Sequence, residues 1–383
     1  MVFDFATASR ILFGCGRRQD LAAEVSQLGR RALIVCGRDP SRIEFLRESP
    51  EGAGLFHDVL CVPGEPTIDV IQAGVEQARK ANVQVVVAVG GGSPIDAGKA
   101  IAALVANDGE LLDYLEVIGA GQPLKQKGLP FVAVPTTAGA GAEVTKNAVI
   151  KSTEHQVKVS LRHPSMLADC VIVDPELTVS LPPSVTAATG MDALTQLIEP
   201  FVCKKATPVT DSFCREGLAR VGRSLKRAVE CGSDLSARTD MCLGALLGGL
   251  ALANSGLGAV HGFAGPIGGR YEAPHGAVCA GLLPHVTRVN LDSLAAEATS
   301  NSVRSRYDEV ARLLIGDRAK ADDLTSFLGE LAAGLNIPAL RSFGLKERAA
   351  DEVVEKARNA SSMKPNPVEL TRSQLKEIFL AAL

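Results

Sequence analysis

The chain has no CxxC pair among its nine cysteines and no long run of one sign of charge. It also has no apolar run of the roughly 20 residues that a membrane span needs. Without paired spacings, neither a zinc ribbon nor a disulfide framework organises the fold. Cys36, Cys61 and Cys170 fall in β-like apolar runs, and Cys214, Cys242 and Cys279 in helical or Gly/Ala-rich stretches. They read as small buried hydrophobes in a reducing cytoplasm. A net charge of −3 gives no reason to expect nucleic acid or an anionic membrane surface as a partner. The opening MVFDFATASRILFGCG carries Asp4 and lacks a basic start before an apolar core, so no secretory signal is expected. Residues 241–269 contain no Asp, Glu, Lys or Arg, but the apolar part, MCLGALLGGLALAN, is short and rich in Gly and Ala. It reads as a helix buried on all sides and leading into a polar pocket, not as a membrane span.

What is present is the length for two domains, 383 residues, with 46% hydrophobic and 22% charged residues. The first half alternates apolar strands and amphipathic helices. RALIVCG (31–37), DVLCVPG (58–64), VQVVVAVGGGS (83–93), LPFVAVPTTAG (129–139) and CVIVDPEL (170–177) are strand-like, and several are apolar on both faces. Helical patterns at 17–29, 67–82 and 94–107 lie between them. This predicts an α/β domain with a doubly wound, mostly parallel sheet over 1–180. Pro182 and Pro183 mark a change of texture, with Ser184 as a candidate N-cap. From there to Leu383 the periodicity is helical throughout, which predicts an all-α domain over 181–383.

Two glycine-rich loops follow strands of the expected sheet. In VVVAVGGGSPIDAGKA (85–100), glycines at 90–92 allow close backbone approach, and Pro94 suits a first helical position. The free N–H groups of the helix start make an anion site where a dinucleotide pyrophosphate can sit. The run is not a P-loop, because Lys99 is followed by Ala100, and it is not GxGxxG either. In PTTAGAGAEVTKNAV (135–149), Thr136, Thr137 and Thr145 add hydroxyls.

Among the six histidines, His261 and His275 stand apart, in a glycine-rich apolar stretch with few charges. Histidines in such surroundings need partners. In GMDALTQLIEP (190–200), Asp192 and Gln196 share one helix face, one turn apart. Two histidines with an acid on a separate helix point to a divalent metal.

These residues resemble the iron-containing (group III) alcohol dehydrogenases. The similarity runs through RILFGCG, GGGSPIDAGKA, PTTAGAGAEVT, DPELT, GMDALTQLIEP, HGFAGPIGG and APHGAVCAGLLPHV, in that order, over essentially the whole chain. The resemblance implies an NAD(P)-linked, cytoplasmic enzyme acting on a small alcohol or aldehyde, assembled as a homodimer or larger homo-oligomer. It implies a divalent metal, Fe²⁺ or Zn²⁺, held by an Asp and three His, which map to Asp192, His261, His275 and the position occupied by Gln196. It assigns the cofactor to Gly91, Gly92, Ser93 and Asp96, to Thr136, Thr137 and Thr145, and to Lys158 and Leu177.

This sequence departs from the family pattern at several points. Gln196 replaces a histidine ligand. Gly265 stands where many members have another histidine, and Ala142 removes a hydroxyl from the Thr-rich loop. Gly37 stands where NAD-specific members commonly have an Asp, and Arg38 or Arg42 can pair with a 2′-phosphate, so NADP is expected to be accepted. Asp39 is the alternative partner, for the ribose hydroxyls of NAD. Two other readings follow from Gln196: a metal-independent reductase of the maleylacetate reductase type, or a nucleotide-binding protein without catalysis.

Overall fold

A computed structural model describes residues 2–48, 55–296 and 301–383. The chain divides into two compact units. One comprises Ala6–Thr137 and Gly141–Thr178. The other comprises Val179–Leu383, with Ala138–Ala140 and the N-terminal stretch up to Phe5.

The first unit is built on eight strands. They are β1 (Ile11–Phe13), β2 (Ala32–Cys36), β3 (Phe56–Cys61), β4 (Val85–Gly90), β5 (Phe131–Pro135), β6 (Asn147–Ser152), β7 (Val157–Arg162) and β8 (Cys170–Val173). Six of them form one parallel sheet in the order β1-β8-β5-β4-β2-β3. Every residue of β2, β4, β5 and β8 is buried, as expected where helices cover both faces of a parallel sheet. Val25, Ile34, Val87, Val132 and Ile172 share one side of this core, each burial contributing about 1.5–3 kcal/mol. From β2 the chain winds outward to β3, then crosses back to β4 and continues through β5 to β8. The direction therefore reverses between β2 and β4, and the carboxyl ends of those two strands are where ligands bind in such sheets.

The local details differ from the sequence expectations at several points. The helix after β4 runs Gly92–Val105, starting two residues before the expected Pro94. Pro94 still sits in the first turn, where a missing N–H costs no intrahelical bond. The three-residue edge strand β1 and the antiparallel hairpin β6–β7 were not expected. β6 alternates half-buried and buried residues, the signature of a sheet covered on one face only. Cys61 is exposed, not buried, because β3 is the edge of the main sheet; its Sγ lies 3.7 Å from that of Cys36.

The second unit contains no strand among its described residues. Its first helix, Pro183–Val202, has Pro182 at the N-cap and Pro183 at N1, so Ser184 lies inside the first turn and caps nothing. The helix Leu235–Ser255 is longer than the short apolar part read from the sequence and, contrary to that expectation, is by length and composition apolar enough to cross a membrane; 67% of its most apolar window is buried within the fold. That is the environment of a core helix.

Candidate metal centre and cofactor loops

In the helical unit, three helices bring their polar residues together. From Gly190 to Val202 the helix Pro183–Val202 is buried all round. It carries Asp192, Gln196 and Glu199 at spacings of four and seven, one face across two turns. His261 lies in the first turn of helix Ala259–Arg270, and His275 opens helix His275–Ala296.

Two glycines permit this approach. A Cβ at Gly276 would meet the Ala188 carbonyl oxygen at 2.0 Å, and one at Gly258 would meet Glu199 Oε1 at 2.7 Å. With hydrogen in their place, the starts of both histidine-bearing helices lie against the first.

Asp192 Oδ1 is 3.4 Å from His261 Nε2 and 3.6 Å from His275 Nε2. The two imidazole centroids are 5.3 Å apart. Asp192 and His261 are 4% and 8% exposed, while the His275 side chain is 36% exposed and gives the site its open side. Burial disfavours charge on Asp192, but His275, His261 and a hydrogen bond from Gln196 outweigh it and hold the carboxyl below its usual value.

Gln196 is buried, and its Oε1 is one of three buried side-chain atoms without a hydrogen-bond partner among the described residues. An unpaired buried carbonyl costs about 1–3 kcal/mol. Its presence beside a carboxylate and two imidazoles fits a site built to receive a cation.

Two members of this cluster were not singled out from the sequence. Glu199 Oε2 lies 2.6 Å from His261 Nδ1, and Glu199 Oε1 accepts from Val260 N at 2.7 Å. Cys279, expected only as a buried hydrophobe, is buried but also points its Sγ at the cluster. The sulfur is 3.7 Å from Asp192 Oδ1, 3.7 Å from His275 Nε2 and 4.0 Å from His261 Nε2. The available signals were spacings: Cys279 is one turn after His275, and Glu199 is two turns after Asp192. Gly265, one turn after His261, has nothing within 4 Å of an added Cβ.

In the sheet unit, the loop after β4 and the Thr-rich loop after β5 are tied together. Thr136 N donates to the Gly90 carbonyl at 2.9 Å, and the Thr137 side chain stands 3.3 Å from where a Gly91 Cβ would be. The helix from Gly92 leaves the N–H groups of its first turn, Ser93 included, without intrahelical acceptors.

Asp96 and Thr145 are engaged inside the protein. Asp96 Oδ2 accepts from Val149 N at 3.0 Å, and Oδ1 pairs with Lys99 Nζ at 3.0 Å. Buried Lys99 also donates to Thr145 Oγ1 at 2.9 Å, to the Ala142 carbonyl at 2.8 Å and to the Asn147 carbonyl. Lys158 Nζ pairs with Glu65 Oε1 at 2.9 Å, and Leu177 packs against the sheet core.

At the end of β2, a Cβ on Gly37 would meet nothing within 4 Å. The Arg38 guanidinium donates to the Pro63 carbonyl at 3.1 and 3.3 Å, and the Asp39 carboxylate is held by Ser41 N and Oγ at 3.0 and 2.7 Å.

Beside Lys99, Glu143 is 5% exposed. Burial pushes its carboxyl up to about 7, with Asp96 adding to the effect and its own backbone and Lys99 opposing it. The folded protein therefore holds this proton more tightly than the unfolded chain. The stability it contributes is complete below pH 4.5, falls through the interval up to about 7, and is gone above it. The difference is about 3 kcal/mol at 1.36 kcal/mol per pH unit. Glu143→Gln is expected to raise the melting temperature at pH 8 and to change it little at pH 4.5, measured by thermal unfolding at both values.

Comparison with known proteins gives the chain's family. The family pattern "Iron-containing alcohol dehydrogenase" matches residues 8–175, and "Fe-containing alcohol dehydrogenase family, C-terminal" matches residues 186–383. The chain is 34% identical to long-chain-alcohol dehydrogenase 1 of Geobacillus thermodenitrificans, over 98% of this chain and 97% of that one. Its fold superimposes on a crystal structure of 1,3-propanediol oxidoreductase with a TM-score of 0.90, at 31% identity and full coverage of both chains. A sulfoacetaldehyde reductase from Bifidobacterium kashiwanohense, solved in complex with NAD⁺, superimposes with a TM-score of 0.87 at 29% identity, covering 99% and 98% of the two chains. With both halves matched and full-length relatives above 30% identity, the chain belongs to the iron-containing alcohol dehydrogenase family.

Proposed function

We propose that this protein is a metal-dependent, NAD(P)-linked alcohol dehydrogenase and aldehyde reductase, in which Asp192, His261 and His275 hold the metal. The observation that carries this reading is the approach of Asp192 Oδ1 to two imidazole Nε2 atoms, beside the unpaired Oε1 of Gln196. A divalent cation bound by that set, Fe²⁺ or Zn²⁺, supplies Lewis acidity that lowers the pKa of an alcohol or polarises a carbonyl. The protein's part is to fix the donors. Glu199 accepts the Nδ1 proton of His261 and so turns the Nε2 lone pair inward. Burial of Asp192 and His261 keeps water from competing for them.

The dinucleotide is assigned to the sheet unit. Gly91, Gly92 and Ser93 offer backbone N–H groups to its phosphates, and Thr136 and Thr137 line the adjoining loop. Asp96 and Thr145 act indirectly, by fixing Lys99 between the two loops. Lys158 and Leu177 complete the cofactor-lining set. The reaction moves a hydride between an alcohol carbon and nicotinamide C4, and the protein positions both partners. A cytoplasmic location and assembly as a homodimer or larger homo-oligomer are part of this proposal, on the strength of the family resemblance.

The open space at Gly37, with Arg38 and Arg42 nearby in sequence, favours acceptance of a 2′-phosphate. A carboxylate there would repel it. Gly37→Asp is expected to raise the KM for NADPH at least about tenfold, the effect of 1.4 kcal/mol, with NADH little changed. Steady-state kinetics with both cofactors checks this.

The function is tested by NAD(P)H oxidation with a panel of small aldehydes, using protein fully loaded with Fe²⁺ or Zn²⁺ under anaerobic conditions. Absence of turnover with every aldehyde would remove the assignment.

A further inference from the structure

We propose that Cys279 is a thiolate ligand of the metal and replaces the donor lost where Gln196 stands in the family's histidine position. This deepens the metal-dependent reading and rests on it.

The donor spacings carry the inference. Four donors 2.0–2.3 Å from a tetrahedrally coordinated ion stand about 3.3–3.6 Å apart, with pairs that include sulfur at the long end. Here the oxygen–nitrogen pairs are 3.4 and 3.6 Å apart, and the sulfur pairs are 3.7, 3.7 and 4.0 Å apart. All four donor atoms of Asp192, His261, His275 and Cys279 lie within 4.8 Å of one another.

Charge points the same way. Asp192 and a Cys279 thiolate carry two negative charges between two neutral imidazoles, which cancels a dication in a largely buried site. With Asp192 alone, only one of the ion's direct donors would be anionic, since the Glu199 carboxylate stands one shell further out, behind His261. Gln196 fits a supporting role better, because its amide helps to hold the Asp192 carboxyl below its usual value. An amide oxygen is also a weaker partner for Fe²⁺ or Zn²⁺ than a thiolate or imidazole. On binding, the Cys279 S–H bond breaks, the sulfur keeps the electron pair for the metal, and the proton leaves to solvent.

The test is zinc X-ray absorption on the full-length protein loaded with one equivalent of Zn²⁺. We expect one sulfur scatterer at about 2.3 Å alongside nitrogen and oxygen at about 2.0–2.2 Å. Cys279→Ser should remove the sulfur shell and weaken Zn²⁺ at least tenfold in competition with a chromophoric chelator. Adding Gln196→His to that variant should recover affinity without sulfur. Zinc bound through nitrogen and oxygen alone in the unaltered protein overturns the thiolate ligand and leaves the metal-dependent reading standing. Failure to retain zinc at all overturns both. The unaltered protein's spectrum decides the question even if Cys279→Ser does not fold.

Discussion

Asp192→Asn is expected to lower kcat/KM for aldehyde reduction by at least about 10³-fold, a loss of roughly 4 kcal/mol in transition-state stabilisation. The side chain keeps its size and one oxygen but loses its charge. It is 4% exposed and is the only carboxylate whose oxygen lies within 4 Å of both His261 and His275 among the described residues. Two consequences follow together. The cation loses an anionic donor, so metal retention falls. The two imidazoles lose the group that holds them in register, so metal added in excess restores only part of the rate. Steady-state kinetics with metal analysis of the same samples checks both. A variant with normal metal content and normal rate would show that Asp192 is not a ligand.

Glu199→Gln is expected to weaken metal binding by about 10–100-fold while leaving the fold intact, the range found when a partner of a ligating histidine is lost. Glu199 accepts from two donors, His261 Nδ1 at 2.6 Å and Val260 N at 2.7 Å. A glutamine has one acceptor oxygen, so its NH₂ group must face one of those two N–H groups. The imidazole then rotates or changes tautomer, and Nε2 no longer meets the metal squarely. Chelator competition measures the affinity. A purely structural role for Glu199 would lower the melting temperature and leave affinity per folded molecule unchanged.

The sequence made the sheet legible because β2, β4, β5 and β8 are apolar on both faces, and only a doubly covered parallel sheet requires that. β1 is three residues long and has too few positions to show a period. The β6–β7 hairpin was hidden because NAVIKS follows directly on a glycine- and threonine-rich loop and alternates over only six residues. Asp192, His261 and His275 were legible as polar groups in apolar surroundings. Cys279 was not, because a cysteine in an apolar helix looks like core packing until its neighbours in space are known. Glu199 was passed over for a different reason: its partners lie 61 and 62 residues away, which no local pattern reveals. Asp96 and Thr145 show the converse. The family pattern marks them for the cofactor, yet their polar atoms are engaged by Lys99 and the hairpin.

The central claim, that a metal held by the helical unit is needed for hydride transfer, is tested most directly by one titration. The enzyme is stripped with a chelator, and the rate of NAD(P)H oxidation by a responsive aldehyde is followed as Fe²⁺ or Zn²⁺ is returned. Loss of turnover on stripping, with recovery that saturates at one metal per chain, is the predicted result. Undiminished turnover in the stripped protein would contradict the claim and favour a metal-independent reductase.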